Sequence, residues 1–294
     1  MTATLQTGTG EAKATTKVYP GRAAVISWIF FDWAAQPYFT LITTFVFAPY
    51  FASFVASDAA SGQALWGFAT AAAGLAIALL SPLLGAIADA SGRRKPWIAV
   101  FGALLVIGAS AMWIGKPGNP DIIPMLLLAY AIASVGVEFA TVFNNAMMPT
   151  LVPPDRIGRL SGTGWATGYV GGILSLVLVL GFLAANAETG KTLFGFTPLF
   201  GLDPVMHEGD RITGPLTGLW FIIFVTPMFL FTPDYPAKRP IREALGEGLG
   251  EGRRHVLDQH DGRRKIGRQL GQHALQRDGA TGGGADRHQP VRFT

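Results

Sequence analysis

Apolar residues gather into six long stretches between about Ala23 and Phe231, and most charged positions fall in the gaps between them. Each stretch approaches the roughly 20 residues that a helix needs to cross a bilayer. The pattern predicts helices over about Ala23–Phe54 (interrupted by Pro37 and Pro49), Ala64–Ala88, Trp97–Ile114, Ile122–Met148, Gly162–Ala185 and Pro215–Phe231. The predicted fold class is an all-α membrane protein with six transmembrane helices. Residues 1–20 are polar and rich in Thr, Gly and Ala, and the first apolar run is too long for a signal peptide. They read as a flexible cytosolic lead-in to a six-helix unit over residues 21–237.

After about Glu247 no segment could cross a membrane, and residues 238–294 read as a polar, basic, disordered tail. The tail carries Gly282-Gly283-Gly284, many arginines and no sustained helical period. Its Arg/Gly/Gln/His/Asp-rich sequence resembles GC-rich coding DNA read out of frame. Two readings stand: a frameshifted or truncated end of a chain that naturally continues with more helices, or a genuine basic cytosolic tail.

Composition sharpens the membrane reading. Charged residues make up 14% of the 294-residue chain, against about 25% in soluble domains, and the mean hydropathy is +0.35. The pI of 9.5 would ordinarily point to nucleic acid. Here the basic residues lie between or after the apolar stretches, which fits membrane orientation instead and gives no nucleic-acid partner. With no cysteine and four of five histidines in the tail, the body has no thiol chemistry and only His207 as an imidazole. No metal cluster, cofactor motif or nucleophile–base pair is visible, so an enzyme is not expected. Gly162-Thr163-Gly164 lacks the third glycine and preceding strand of a dinucleotide fingerprint.

Loop charges predict orientation. Lys13, Lys17, Arg22, Arg93, Arg94, Lys95, Arg156, Arg159, Lys238, Arg239 and Arg242 fall on one side, and Lys116, Lys191 and Arg211 on the other. The richer side, with both termini, is expected in the cytoplasm of a multi-pass plasma (inner) membrane protein. Trp28, Trp97 and Trp220 near helix ends read as interfacial anchors.

The gap between the second and third stretches carries Gly85, Asp89, Gly92, Arg93, Arg94 and Lys95. Gly85 is expected to permit close helix contact, Asp89 to neutralise basic groups or face a helix N-terminus, and Gly92 to allow a sharp turn. This spacing resembles the signature loop of the major facilitator superfamily, with Ala90 departing from the basic residue many members carry; the plainer reading is a positive-inside turn. Phe31-Asp32-Trp33-Ala34-Ala35-Gln36-Pro37-Tyr38 and Phe143-Asn144-Asn145-Ala146-Met147-Met148-Pro149, leading into Arg156-Ile157-Gly158-Arg159-Leu160-Ser161-Gly162 and the glycine-rich run from Gly164 to Gly172, narrow the likeness. Together they resemble the "unknown major facilitator" branch, which includes autophagy-linked vacuolar amino-acid effluxers of fungi. The resemblance spans about Val18 to Ala237. It implies a secondary transporter of twelve helices in two halves, of which this chain supplies the N-terminal one, acting on a small solute such as an amino acid.

Two acids interrupt the apolar stretches: Asp32 in the first and Glu138 in the fourth. A carboxylate in lipid costs at least about 2.5–3.5 kcal/mol, so each should border a wet cavity. The resemblance implies inverted three-helix repeats, in which the first and fourth helices are equivalent and both line the central cavity. Asp32 and Glu138 are therefore candidate substrate-amine or proton-coupling groups; the alternative is a hydrogen-bonded or protonated residue pinning helices. Gln36, one turn after Asp32, and Asn145, on the face of Glu138, are candidate hydrogen-bonding residues, with helix bridging as the alternative. Gly164, Gly168 and Gly172 form a stripe suited to helix packing or to a sliding surface. Transport by alternating access leads. A non-transporting fragment or scaffold, needing a homodimer or a separate second half beside the lipid bilayer, remains the alternative.

Overall fold

The computed structural model describes residues 18–235, apart from the side chains at 86 and 88–91. Residues 1–17 of the expected lead-in, all of the expected tail over 238–294 and the side chain of Asp89 lie outside this description. Among the described residues, six helical segments are long and apolar enough to cross a membrane. They are α1 (Arg22–Val55), α2 (Ala59–Ser91), α3 (Lys95–Ile114), α4 (Pro120–Leu151), α5 (Pro154–Leu183) and α6 (Glu208–Phe231). Among the described residues the only β pairing is an isolated bridge between Ala185 and Thr192.

Pro37 does not break α1. The turns after it widen to π geometry over Tyr38–Phe45, and the chain kinks at Val46 (φ −120°, ψ −66°) before helix resumes. A proline removes one N–H from the ladder, and a locally widened turn lets the helix run on. α2 begins earlier than the hydropathy pattern places it, because Asp58 caps it by accepting the Ser61 N–H at 2.9 Å. α5 also begins earlier: Ile157 to Ser161 form its first turns rather than a loop.

Helix neighbours follow an internal symmetry. α1 packs on α5 and α6, α4 packs on α2 and α3, and α3 meets α6. Exchanging α1 with α4, α2 with α5 and α3 with α6 maps this set of contacts onto itself, as inverted three-helix repeats require. Close approach depends on glycine. A Cβ at Gly136 of α4 would lie 2.5 Å from the Leu105 nitrogen and 2.7 Å from the Phe101 oxygen of α3. On the reverse side of that seam, a Cβ at Gly108 would lie 2.7 Å from the Ala133 nitrogen. Gly85 behaves otherwise: a Cβ there would meet nothing within 4 Å. The expected close contact is absent because α2 presents most of its length outward, including Phe68, Leu75, Leu79 and Leu83.

The two ends of the bundle are closed differently. At the basic end, Gly92 ends α2 with φ +63°, and Asp234, just beyond α6, accepts the N–H groups of Arg94 at 2.8 Å and Lys95 at 3.2 Å. Lys95 Nζ donates to the Phe229 carbonyl at 2.8 Å. At the opposite end Arg211 is 2% exposed, donates twice to the Trp113 carbonyl (2.9 and 2.6 Å) and stacks over the Trp113 ring at 4.5 Å. Tyr50 Oη donates to the Gly115 carbonyl at 2.6 Å, and the His207 ring lies 3.9 Å from that of Phe54.

Of the three tryptophans expected at the interface, Trp28 is buried in the bundle, while Trp97 and Trp220 are half-buried and pack on neighbouring rings. Trp28 is 1% exposed. Trp97 stacks on Phe143 with centroids 5.4 Å apart. Trp220 stacks on Trp33 at 6.0 Å and donates to its carbonyl at 3.0 Å. Each indole has both an apolar ring to bury and one N–H to satisfy, and in Trp28 and Trp220 a backbone carbonyl inside the bundle meets that N–H.

The α3–α4 seam generates a test. Gly136→Ala forces backbone against backbone and should cost about 1–3 kcal/mol, read as a lower melting temperature in detergent. Gly67→Ala, where a Cβ meets nothing within 4 Å, should show no such loss.

Candidate functional site

α1 and α4 run in opposite directions and touch little, but two polar clamps join them. Near the basic end, Trp28 Nε1–H donates to the Asn144 carbonyl at 2.8 Å. Deeper in, Tyr38 Oη lies 2.6 Å from Ser134 Oγ. Both hydroxyls also reach the Tyr130 carbonyl, Ser134 at 2.9 Å and Tyr38 at 3.4 Å, so the pair shares one backbone acceptor on α4. The clamps are about 15 Å apart along each helix, from ten residues at 1.5 Å rise.

Between the clamps the helices part around a cavity of about 330 Å³. Asp32 and Gln36 line it from α1, Glu138 and Asn145 from α4, and Trp165 and Tyr169 from α5. Counted from the first clamp, Asp32 lies about 6 Å and Glu138 about 9 Å into the bundle. All four polar residues singled out from the sequence thus share one cavity. Asn144, adjacent to Asn145, is turned out of it: its side chain is fully buried and its amide finds no hydrogen-bond partner among the described residues.

Both carboxylates are half-buried, and neither has an ion-pair or hydrogen-bond partner among the described residues. The described lining includes no Lys, Arg or His.

The glycine stripe explains how α5 reaches this place. A Cβ at Gly168 would lie 3.2 Å from the Asp32 Cβ and carbonyl, and one at Gly164 would strike Asp32 Oδ2. A Cβ at Gly172 would lie 2.8 Å from Gln36 Cγ. Gly171, which falls outside the four-residue period, meets Trp33 in the same way. With no side chain between the helices, the neighbouring Trp165 and Tyr169 swing over the cavity and remain 61% and 54% exposed. Sequence reasoning passed over this aromatic pair. The available signal was their spacing of four, one helical turn, on the helix that carries the glycine stripe.

The signature-loop residues do not belong to this cavity. Gly92, Arg93 and Arg94 sit at the basic end, and the acid that takes the Arg94 and Lys95 N–H groups there is Asp234. It follows the last apolar stretch directly, where a loop acid drew no attention.

The chain is similar in sequence to known membrane-transport proteins. The family model described as "Vacuole effluxer Atg22 like" matches residues 63–256. The "Uncharacterized MFS-type transporter YxiO" of Bacillus subtilis (strain 168) is 28% identical over 206 residues, covering 69% of this chain and 45% of that protein. The chain therefore spans about half the length of this curated relative. No solved structure matches the chain.

The second clamp can be tested alone. Tyr38→Phe removes one interhelical hydrogen bond worth roughly 0.6–2 kcal/mol and keeps the ring. The melting temperature in detergent should fall accordingly, while helix content measured by circular dichroism stays constant.

Proposed function

The chain belongs to the Atg22-like vacuole effluxer family, and on that premise we propose that it forms the N-terminal half of a secondary transporter for a small amine-bearing solute. It is an integral, multi-pass membrane protein of major facilitator type. The observation that carries the substrate reading is the meeting of Asp32 and Glu138 with Trp165 and Tyr169 in one cavity at membrane depth. Unpaired carboxylates attract a cation, and aromatic faces add cation–π attraction of about 0.5–2 kcal/mol. Gln36 and Asn145 supply hydrogen-bonding groups beside them. An amino acid fits through its ammonium group. Its carboxylate finds no basic side chain in this lining, so that contact falls to the opposing half. Alternating access would move the cavity between the two membrane faces, with proton exchange on the same acids as a means of coupling. By the positive-inside rule, the basic end faces the cytoplasm of the plasma membrane.

A second reading has its own support. The chain spans 45% of its curated relative, and the aromatic side of the cavity is open. On that reading the chain binds solute but carries none until a second six-helix half, or a second copy, covers the site.

Thermal-shift measurements in detergent with lysine, putrescine and glucose read binding without a second half. The two amines should raise the melting temperature and glucose should not. Asp32→Asn or Glu138→Gln should weaken amine binding by about tenfold or more, since hydrogen bonds to charged groups contribute about 1.5–3 kcal/mol. Liposome flux of the same solutes separates the readings: flux by the chain alone supports transport, and binding without flux supports the incomplete half. Unchanged amine binding in both variants would remove the two acids from the mechanism.

A further inference from the structure

A second cavity, of about 420 Å³, opens at the basic end between the start of α1 and the start of α5. It is separate from the acidic cavity. Thr163 lines the basic one and Trp165 the acidic one, and two residues at 100° each place them on opposite sides of α5. Arg22, Arg156 and Arg159 stand in its lining. Ile26, Ile29 and Leu160 form much of the apolar wall. Ile29 lies about 10 Å along α1 from Arg22, from seven residues at 1.5 Å rise. The site is thus cationic at the membrane margin and apolar at hydrocarbon depth.

Charge on the arginines is only partly answered. Asp155 is the acid seen against them, 3.9 Å from Arg156 and 76% exposed. Gly21, the residue preceding α1, makes no side-chain cap, nor does Arg156, which precedes the α-helical turns of α5. The first-turn N–H groups of α1 add partial positive charge on the same side.

We propose that this cavity binds an anionic phospholipid, with its phosphate among Arg22, Arg156 and Arg159 and an acyl chain against Ile26, Ile29 and Leu160. A free phosphate would use the cationic mouth alone and leave the apolar wall uncovered. A zwitterionic lipid would cover the wall but bring a cationic group to the arginines. The anionic lipid satisfies both parts, and it joins α1 to the α4–α5 link through Val152 and Pro153, which also line the cavity.

The test is native mass spectrometry of the full chain released from detergent containing equal phosphatidylglycerol and phosphatidylcholine. Each basic side chain near an anionic lipid is worth about fivefold in affinity. Wild-type protein should therefore retain phosphatidylglycerol by at least tenfold over phosphatidylcholine. The Arg22→Gln/Arg156→Gln/Arg159→Gln variant should bring the two to parity, and Lys116→Gln/Lys191→Gln at the other end should leave the preference intact. Equal retention by the wild type, or an undiminished preference in the triple variant, overturns the proposal. Displacement of the lipid by millimolar glycerol phosphate, which has the headgroup charge and no chains, would also overturn it in favour of a soluble anion. None of these outcomes depends on whether the acidic cavity binds amines.

Discussion

The architecture depends on two helices meeting with nothing between them. Four glycines of α5 lie where a Cβ would strike Asp32, Trp33, Gln36 or Thr40 of α1. In lipid there is no hydrophobic drive to press helices together, so close van der Waals approach has to supply the attraction. The same approach decides the chemistry. It fills the space behind Asp32 with α5 backbone, so that the carboxylate borders the gap between α1 and α4. It also sets Trp165 and Tyr169 at the edge of that gap. A larger residue at any of these glycines would move both the acid and the aromatic wall.

The gap itself is held open by hydrogen bonds rather than by bulk. Trp28 and Tyr38 tie α1 to α4 on either side of the acids. Each clamp lies one turn from an acid on its own helix: Trp28 from Asp32, and Ser134 from Glu138. That arrangement follows the pseudo-twofold relation between the repeats and places two carboxylates at nearly equal depth. A polar pair inside a membrane fixes the position of its helices more than it adds to their attraction. Here it fixes the width of a cavity.

Much of this was legible in the chain because lipid imposes strict rules. A backbone crossing hydrocarbon must satisfy its own hydrogen bonds, so six apolar stretches could hardly be anything but helices. Asp32 and Glu138 stood out because charge is costly there, and helical spacing carried the argument to Gln36 and Asn145. Where the reading failed, the missing information was the partner. Trp28 has the composition of an interfacial anchor, but only the fold shows the Asn144 carbonyl waiting for its N–H. Gly85 resembles the packing glycines in every local respect, yet faces open space. Gly108 and Gly136 form no stripe and so gave no pattern, although the α3–α4 seam closes on both. Asp234 caps a helix distant in sequence, and loop acids are too common to signal such a role.

Charge counting along the sequence also improves once burial is known. Arg211 counted as a basic residue of the sparser side, but it is 2% exposed, with its guanidinium spent on the Trp113 carbonyl and ring. It contributes packing and hydrogen bonding inside the fold and little field outside it. Lys116 and Lys191 then remain as that end's exposed cations among the described residues. At the other end Arg22, Arg93, Arg156 and Arg159 are all exposed. Burial withdraws Arg94 and Lys95 from that count as it withdraws Arg211 from the other, so the excess of exposed charge at the basic end persists, and only charges that reach water act on the membrane surface.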